Sequence, residues 1–403
     1  MKKVYIWGAG YYAEYIYSII DKKECEVVAI IDSDKNKQEQ LWDYGLRIVA
    51  PDILFTQKFD KIFISVRNYE PVLNRCLEMG IARDKIVIYW QDNESIGLFE
   101  NRAETILKCE NSIYKYMSRL ENAPYEFGAR EIPDIQSSEQ LLKKIIKEGK
   151  SLARFGDGEF EIMFQRERPW FQSVDDELSI RLREVIRNKN EGILIAIADN
   201  FGKLEKYKED SADIIRQYMI KSRKDIMSFI DVNRVYYNAY VTRPYILYKD
   251  KRHASPIFDL FKKVWTNRNI ILVEGKGGKI GVGNDLLQDA VTIRRIECPV
   301  RNAWDKYKDI LESVRRVANK EDLICISLGP TATVLAYDLF MLGYQALDIG
   351  QVDIEYEWYI RNVDVRVSID GKLVAEVDEN FKESREFQDQ NKEYENQVVY
   401  VIE

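Results

Sequence analysis

The residues best equipped for chemistry are Asp157 and Glu159, in the run SLARFGDGEF that spans residues 151–160. A short apolar strand reaches a turn in which glycine flanks the aspartate, and the glutamate follows two residues later. Carboxylates at that spacing reach one hard cation, and oxygen ligands suit Mg2+ or Mn2+, which substrate phosphates also bridge. Such a cation offsets the charge on a departing diphosphate. Arg154 either contacts phosphate or pairs with a carboxylate. Against this, Asp-Gly is first of all a turn signal. The chain has a single histidine, His253, expected on a solvated, charged loop. Chemistry must therefore come from carboxylates, Arg and Lys, hydroxyls and backbone.

Three further stretches invite a ligand. In VEGKGGKIGVGNDLLQDA, Gly275, Gly277, Gly278, Gly281 and Gly283 follow a buried strand that ends at Glu274. That many glycines mean backbone that bends closely or stays open to a ligand. Asn284 and Asp285 then open a predicted helix, LLQDA, as N-cap candidates. In SLGPTATVLAYDLFML, a strand over Leu323–Leu328 runs through Gly329 into a helix whose first turn carries Thr331 and Thr333. A helix start has unpartnered N–H groups and favours an anion, although a well-capped helix is the plainer reading. In VYYNAYVTRPYILYKD, tyrosines suited to stacking surround Arg243, whose guanidinium can fork onto phosphate; an aromatic core strand pair explains it equally well.

The elements that must position these residues alternate strand and helix. Residues 2–7 read as a buried strand, followed by Gly8-Ala9-Gly10-Tyr11-Tyr12-Ala13, a helix, and a second strand, VVAIIDSD. This is the GxGxxA form of a dinucleotide fingerprint: Gly8 makes the turn, Gly10 admits a pyrophosphate and Asp32 accepts from a ribose hydroxyl. Strands over Lys61–Val66 and Lys85–Trp90 close the unit after about half of a full dinucleotide fold. Close helix–strand packing alone would also explain the glycines. The expected organisation is a Rossmann-like domain over 1–95, a helical linker over 96–136, a larger α/β domain over 137–362, and a tail over 363–403. The larger domain opens with a capping box, Ser137 to Gln140, on a helix ended by Gly149. The tail is read as a hairpin turned at Asp370-Gly371, a charged stretch and a short strand, VVYVI.

Composition bounds the reading. The 403 residues are 46% hydrophobic and 32% charged, an ordinary globular make-up. Net charge is −7, which disfavours a nucleic-acid partner. No apolar run reaches the roughly 20 residues of a membrane span, and the N-terminus lacks signal-peptide character. The five cysteines are scattered without a CxxC pair, so a cytoplasmic location with free thiols is expected. A homo-oligomer is compatible with everything above.

Four ordered segments then carry a family resemblance: RFGDGE, YVTRPY, VEGKGGKIGVGNDL and SLGPTATVLAYDLFMLGYQALDIGQVDIEYEW. Together, over roughly residues 140–361, they resemble the GT-D-type bacterial glycosyltransferases. The resemblance implies a Rossmann-like catalytic domain with its own GT-D topology; the small Rossmann-like parallel sheet at the N-terminus lies outside the match. It implies transfer of a hexose from a UDP-sugar to a glycan or glycoprotein acceptor of the bacterial surface, with a divalent metal, typically Mn2+. The family's Asp-x-Glu motif falls on Asp157 and Glu159. The glycine loops, with Gly281, Gly283, Asn284, Thr331 and Thr333, are expected near the donor, with Arg154 or Arg243 on phosphate. Asp285 and Glu274 are the candidates for a base. One departure is visible: where the family commonly has a histidine, this chain has Gln351, which cannot act as a base near neutral pH. The acidic run Asp353, Glu355, Glu357 would share one face if extended, ready for acceptor hydroxyls or simply solvated. Competing readings are an NAD(P)-dependent sugar-nucleotide oxidoreductase built on Gly8, Gly10 and Asp32, a metal-dependent phosphohydrolase, and a non-catalytic nucleotide-sugar binder.

Overall fold

The computed structural model describes residues 1–20, 22–88, 102–166, 172–374, 377 and 392–403, and the chain divides into two compact units, Met1–Met117 and Ser118–Glu403. The expected domain end at residue 95 and the charged stretch of the tail lie outside the described residues.

The first unit is a parallel sheet of β1 (Lys2–Trp7), β2 (Cys25–Ile31), β3 (Ile48–Val49), β4 (Lys61–Ile64) and β5 (Ile86–Ile88), in the order β3-β2-β1-β4-β5. Helix α1 (Tyr11–Ile19) and helix α2 (Glu70–Glu78) complete it. Successive strand residues point to opposite faces. In β1, Val4 and Ile6 therefore join a core with Ala13 and Ile16 of α1, while Tyr5 and Trp7 join a second core with Cys76 of α2. The fingerprint glycine Gly8 sits at φ +117°, and a Cβ there would meet Val66 Cγ1 at 2.5 Å. Helix α3 (Arg102–Glu126) follows, and its last turns belong to the second unit.

The second unit is a nine-stranded sheet in the order β14-β11-β10-β12-β13-β7-β8-β9-β6, every neighbouring pair parallel. In chain order its elements are β6 (Asp134–Gln136), α4 (Ser138–Glu148), β7 (Ser151–Phe155), α5 (Asp157–Met163), α6 (Asp176–Arg187), β8 (Ile193–Ile197), α7 (Glu209–Met227) and β9 (Val235–Asn238). Then come α8 (Ala254–Trp265), β10 (Asn269–Gly275), β11 (Thr292–Cys298), α9 (Tyr307–Val317), β12 (Leu323–Ser327), α10 (Pro330–Met341), β13 (Gln345–Asp348), α11 (Val352–Ile360), α12 (Lys392–Gln397) and β14 (Val398–Val401).

Its central strands are apolar throughout because both faces are covered. Ile270 and Leu272 of β10 pack into one core and Ile271 and Val273 into the other; Leu323 and Ile324 of β12 divide in the same way. The predicted capping box forms: the Gln140 N–H donates to Ser137 Oγ at 3.3 Å and the Ser137 N–H to Gln140 Oε1 at 2.9 Å, and Gly149 closes α4 at φ +65°. The tail is no separate appendage. Its hairpin reduces to one bridge, Ile369 to Lys372, and its last strand pairs with β11 at the sheet edge. Strands β7, β8 and β9 run outward to one side, while β12 and β13 arrive from the other. The β7–β13 boundary is thus a topological switch point, where open α/β sheets place ligands at their carboxyl ends.

Candidate functional site at the carboxyl end of the sheet

Strand β7 delivers the Asp-Gly-Glu turn to that boundary. Asp157 is exposed at the start of α5, and its Oδ1 accepts from the Gly158 N–H at 3.1 Å. Glu159 is half-buried and its Oε2 accepts from the Gly156 N–H at 2.6 Å, closing the turn. Burial, and then the nearby Asp348 charge, push the Glu159 carboxyl up to about 7. The two carboxylates of this turn stand in different settings, Asp157 at the surface and Glu159 turned back onto the Gly156 N–H. Among the described residues no cluster of three or more His, Cys, Asp and Glu side chains forms a ready-made cage.

Arg154 is spent on protein. Its Nη2 pairs with Asp348 Oδ1 at 2.6 Å and its Nε donates to the Asp348 carbonyl at 3.0 Å; Nη1 lies 3.4 Å from the Ala239 carbonyl. Gly350, at φ +46°, lies against this guanidinium: a Cβ there would sit 2.2 Å from Nη2. Beside it, Thr242 is fully buried, and among the described residues neither its hydroxyl nor Gln351 Oε1 has a hydrogen-bond partner.

The other wall comes from the exits of β8 and β9. Tyr240 donates from its hydroxyl to Asn200 Oδ1 at 2.8 Å and feels the charges of Asp157 and Arg243. Burial first, then Asp157, drives its phenol well above the ordinary range. Arg243 is half-buried at the end of this short helical turn. Tyr240, in the tyrosine-rich stretch, thus lies within electrostatic reach of both Asp157 and Arg243.

The glycine loop after β10 is closed rather than open. The Gly281 N–H donates to Asp353 Oδ1 at 2.8 Å, the Ile280 N–H to Glu274 Oε2 at 2.9 Å, and the Gly278 N–H to the Gly275 carbonyl at 2.9 Å. Gly281 and Gly283 have φ of +75° and +78°, so their glycine identity follows from backbone conformation. The helix expected over LLQDA does not form; residues 281–289 are successive turns. Asn284 instead bridges Asp353 at 2.9 Å and Glu357 at 2.7 Å through Nδ2, while its Oδ1 accepts from the Leu286 N–H.

The two proposed bases are engaged. Glu274 is fully buried and pairs with Arg295 Nη1 at 2.5 Å. Asp285 is exposed, yet Lys262 holds Oδ2 at 2.7 Å and the Tyr356 hydroxyl donates to Oδ1 at 2.5 Å, so its carboxyl lies below the usual range. The threonines of α10 face inward: Thr331 Oγ1 lies 3.4 Å from Gln172 Oε1, and Thr333 Oγ1 donates to the Arg154 carbonyl at 2.8 Å. These hydroxyls fasten α10 to its surroundings.

The acidic run is helical in α11, not extended, and its carboxylates are internal. Glu355 Oε2 accepts from the N–H groups of Tyr245 and Ile246, each at 2.9 Å. Lys372, itself buried, reaches Asp353 at 2.6 Å and Glu357 at 2.9 Å. His253, expected in solvent, is half-buried, 4.2 Å from the Tyr248 ring. In the first unit, Asp32 Oδ2 accepts from the Ala9 N–H at 3.0 Å and from Lys37 at 3.2 Å, so its carboxylate closes the fingerprint loop. Gly10 is exposed at the start of α1 and has open space where a Cβ would be.

Three contributors escape sequence reasoning: Asp348, Asn200 and Lys372. Asp348 had one legible signal, an acidic residue at a strand end before glycine. Lys372 had none, because its partners lie across a turn from it.

Comparison with known proteins matches this geometry. Residues 152–377 match the family described as glycosyltransferase GT-D fold, and residues 1–87 match the one described as C2185-like, N-terminal. A protein of Streptococcus gordonii named probable glycosyl transferase Gly is 37% identical over 268 residues, 66% of this chain and 38% of that protein. The chain thus spans well under half of that relative's length. A solved structure described as a new glycosyltransferase (domain of unknown function 1792) from Streptococcus sanguinis is 34% identical, with a TM-score of 0.63, covering 68% of this chain and 100% of that one. A second, described as domain of unknown function 1792 with a distinct glycosyltransferase fold, is 31% identical with a TM-score of 0.64 over 72% of this chain and 100% of its own. The match over residues 152–377, more than half of the chain, makes this chain a member of the glycosyltransferases of the GT-D fold.

Proposed function

We propose that the chain transfers a hexose from a UDP-sugar to a hydroxyl of a glycan or glycoprotein acceptor, with Mn2+ or Mg2+ held by Asp157 and Glu159. The observation that carries this reading is the exposed Asp157 at the β7–β13 switch point, with Glu159 on the same turn. A divalent cation there would neutralise charge on the leaving diphosphate. Arg243, at the exit of β9, takes the phosphate role in preference to Arg154, whose donors are held by Asp348 and the Ala239 carbonyl. Tyr240 and Asn200 form the polar wall against which a sugar or ribose hydroxyl rests. The Thr331, Thr333 and Gly281 groups support the site from behind, because their donors are already committed.

UDP release from a panel of UDP-sugars tests this, run with Mn2+ and with EDTA on wild type and Asp157→Ala. Release from one donor, lost with EDTA and in the variant, is expected. Release that survives both would remove the metal and its ligands from the reading. No release from any donor, with thermal stabilisation by NAD instead, would move the function to the first unit.

A further inference from the structure

We infer that Arg154 and Asp348 form a positioning clamp, which holds the two walls of the site in register and leaves Arg154 out of direct phosphate contact. This rests on the site reading above and deepens it. Three strand ends meet on one guanidinium. Arg154 belongs to β7, two residues before the Gly156–Glu159 turn. Its Nη2 and Nε hold the side chain and carbonyl of Asp348 at the end of β13, and Nη1 faces the Ala239 carbonyl, where β9 turns toward Tyr240 and Arg243. The Asp348 carboxylate also accepts from the Gly350 N–H at 3.1 Å, and Ser327 Oγ donates to the Gly350 carbonyl at 2.8 Å, so β12 joins the same knot.

The pair is well buried: the Arg154 side chain is 17% exposed and that of Asp348 is 3% exposed. A planar fork with several fixed donors suits this work, and an ammonium does not. The absent side chain at Gly350 is the complementary feature, because any Cβ would displace the guanidinium. At the far end of the boundary Gln345 Nε2 donates to the Lys150 carbonyl at 3.2 Å and the Ala346 N–H to Ser151 Oγ at 3.0 Å, but the ladder between them is short. Strands β7 and β13 are in register at one pair, Leu152 with Leu347, whereas β7 and β8 are matched over five. The clamp replaces ladder bonds where the sheet opens to form the site.

The test uses the full chain with Arg154→Lys, Arg154→Met, Asp348→Asn and the Met/Asn double variant. Hydrogen–deuterium exchange reads the clamp without any substrate. Exchange in peptides covering 156–160 and 239–243 should speed up on the order of tenfold or more, as for a lost charge-assisted hydrogen bond, with the first unit unchanged. In UDP release, kcat should fall while KM for the donor stays within about twofold, and Arg154→Lys should not rescue it. The double variant should be no worse than the worse single one, as for two groups acting as one unit. Unchanged exchange in both segments would overturn the clamp. So would a rise in KM alone, or rescue by lysine, either of which makes Arg154 a phosphate ligand. Should Arg154→Met fail to fold, Gly350→Ala presses on the same guanidinium while keeping every polar group, and the same exchange and kinetic outcomes apply. If wild type releases no UDP, the function reading fails while the exchange result still decides the clamp.

Discussion

Replacing Lys372 with methionine isolates the electrostatics behind the glycine loop. Methionine keeps most of the stem and removes the ammonium, which lies 2.6 Å from Asp353 and 2.9 Å from Glu357. All three side chains are 5% exposed or less. The variant leaves two buried carboxylates with Asn284 between them, and Glu357 keeps only the exposed Arg361, at 3.2 Å, as a counter-ion. Breaking a buried pair from one side typically costs about 3–5 kcal/mol, and we expect a loss in that range for the second unit. The pH dependence carries more information than the size. In wild type, burial tends to raise the Glu357 carboxyl, but hydrogen bonds from Lys372 and Asn284 outweigh it and hold the group below its ordinary 4.5. Its contribution is therefore present above that value and lost as pH falls through the depressed one. In the variant the sign reverses, because burial remains while the Lys372 donor is gone, and the Glu357 carboxyl rises. The variant's relative stability is best in acid and is lost as pH rises through the raised value. Urea unfolding at pH 5 and pH 8, followed by tryptophan fluorescence, should show the deficit widening at pH 8. A loss under about 1 kcal/mol, or one equal at both values, would refute the reasoning.

Gly8→Ala forces a Cβ to 2.5 Å from Val66 and 2.7 Å from Ser65 at φ +117°; it should lower the first unit's unfolding transition by about 1–3 kcal/mol and leave the second alone, as calorimetry of both would show. Thr333→Val removes the bond to the Arg154 carbonyl at 2.8 Å and should cost about 1–3 kcal/mol, read from urea midpoints; a cost near zero would deny the hydroxyl its fastening role. Glu159→Gln should remove a slope. The wild-type carboxyl, raised from 4.5 to about 7 by burial and then by Asp348, gives metal-free protein stability that is full below 4.5 and lost as pH rises through 7. Parallel stability–pH curves for the two proteins would contradict this.

Much of the scaffold was legible because strand and helix periods are written locally. Ser137, Gln140 and Gly149 fix α4 by backbone chemistry within one segment. The apolar runs of β8, β10 and β12 need no partner to be recognised. The Asp157–Glu159 turn could be read for the same reason. What could not be read is which polar groups the fold uses up. Arg154 looks like a phosphate ligand until β13 brings Asp348 beside it, a contact across 194 positions. Asp353 and Glu357 look like an acceptor surface until Lys372 turns back onto them. The glycines after β10 suggest an open loop, but the Gly281 N–H is claimed by Asp353 of α11 and the Gly278 N–H by the Gly275 carbonyl. Local sequence names the donors and acceptors; long-range topology decides which remain for a ligand.

Gly350 extends this to inheritance. Its lack of a side chain is imposed by a φ of +46° and by a guanidinium from a distant strand, so the freedom of position 350 depends in part on residue 154. A lineage that shortens residue 154 releases residue 350 from glycine's space requirement, and one that fills residue 350 first meets a clash before it meets any benefit. The order of change is thereby fixed: arginine is given up first, and the pair should be lost in that sequence or kept intact.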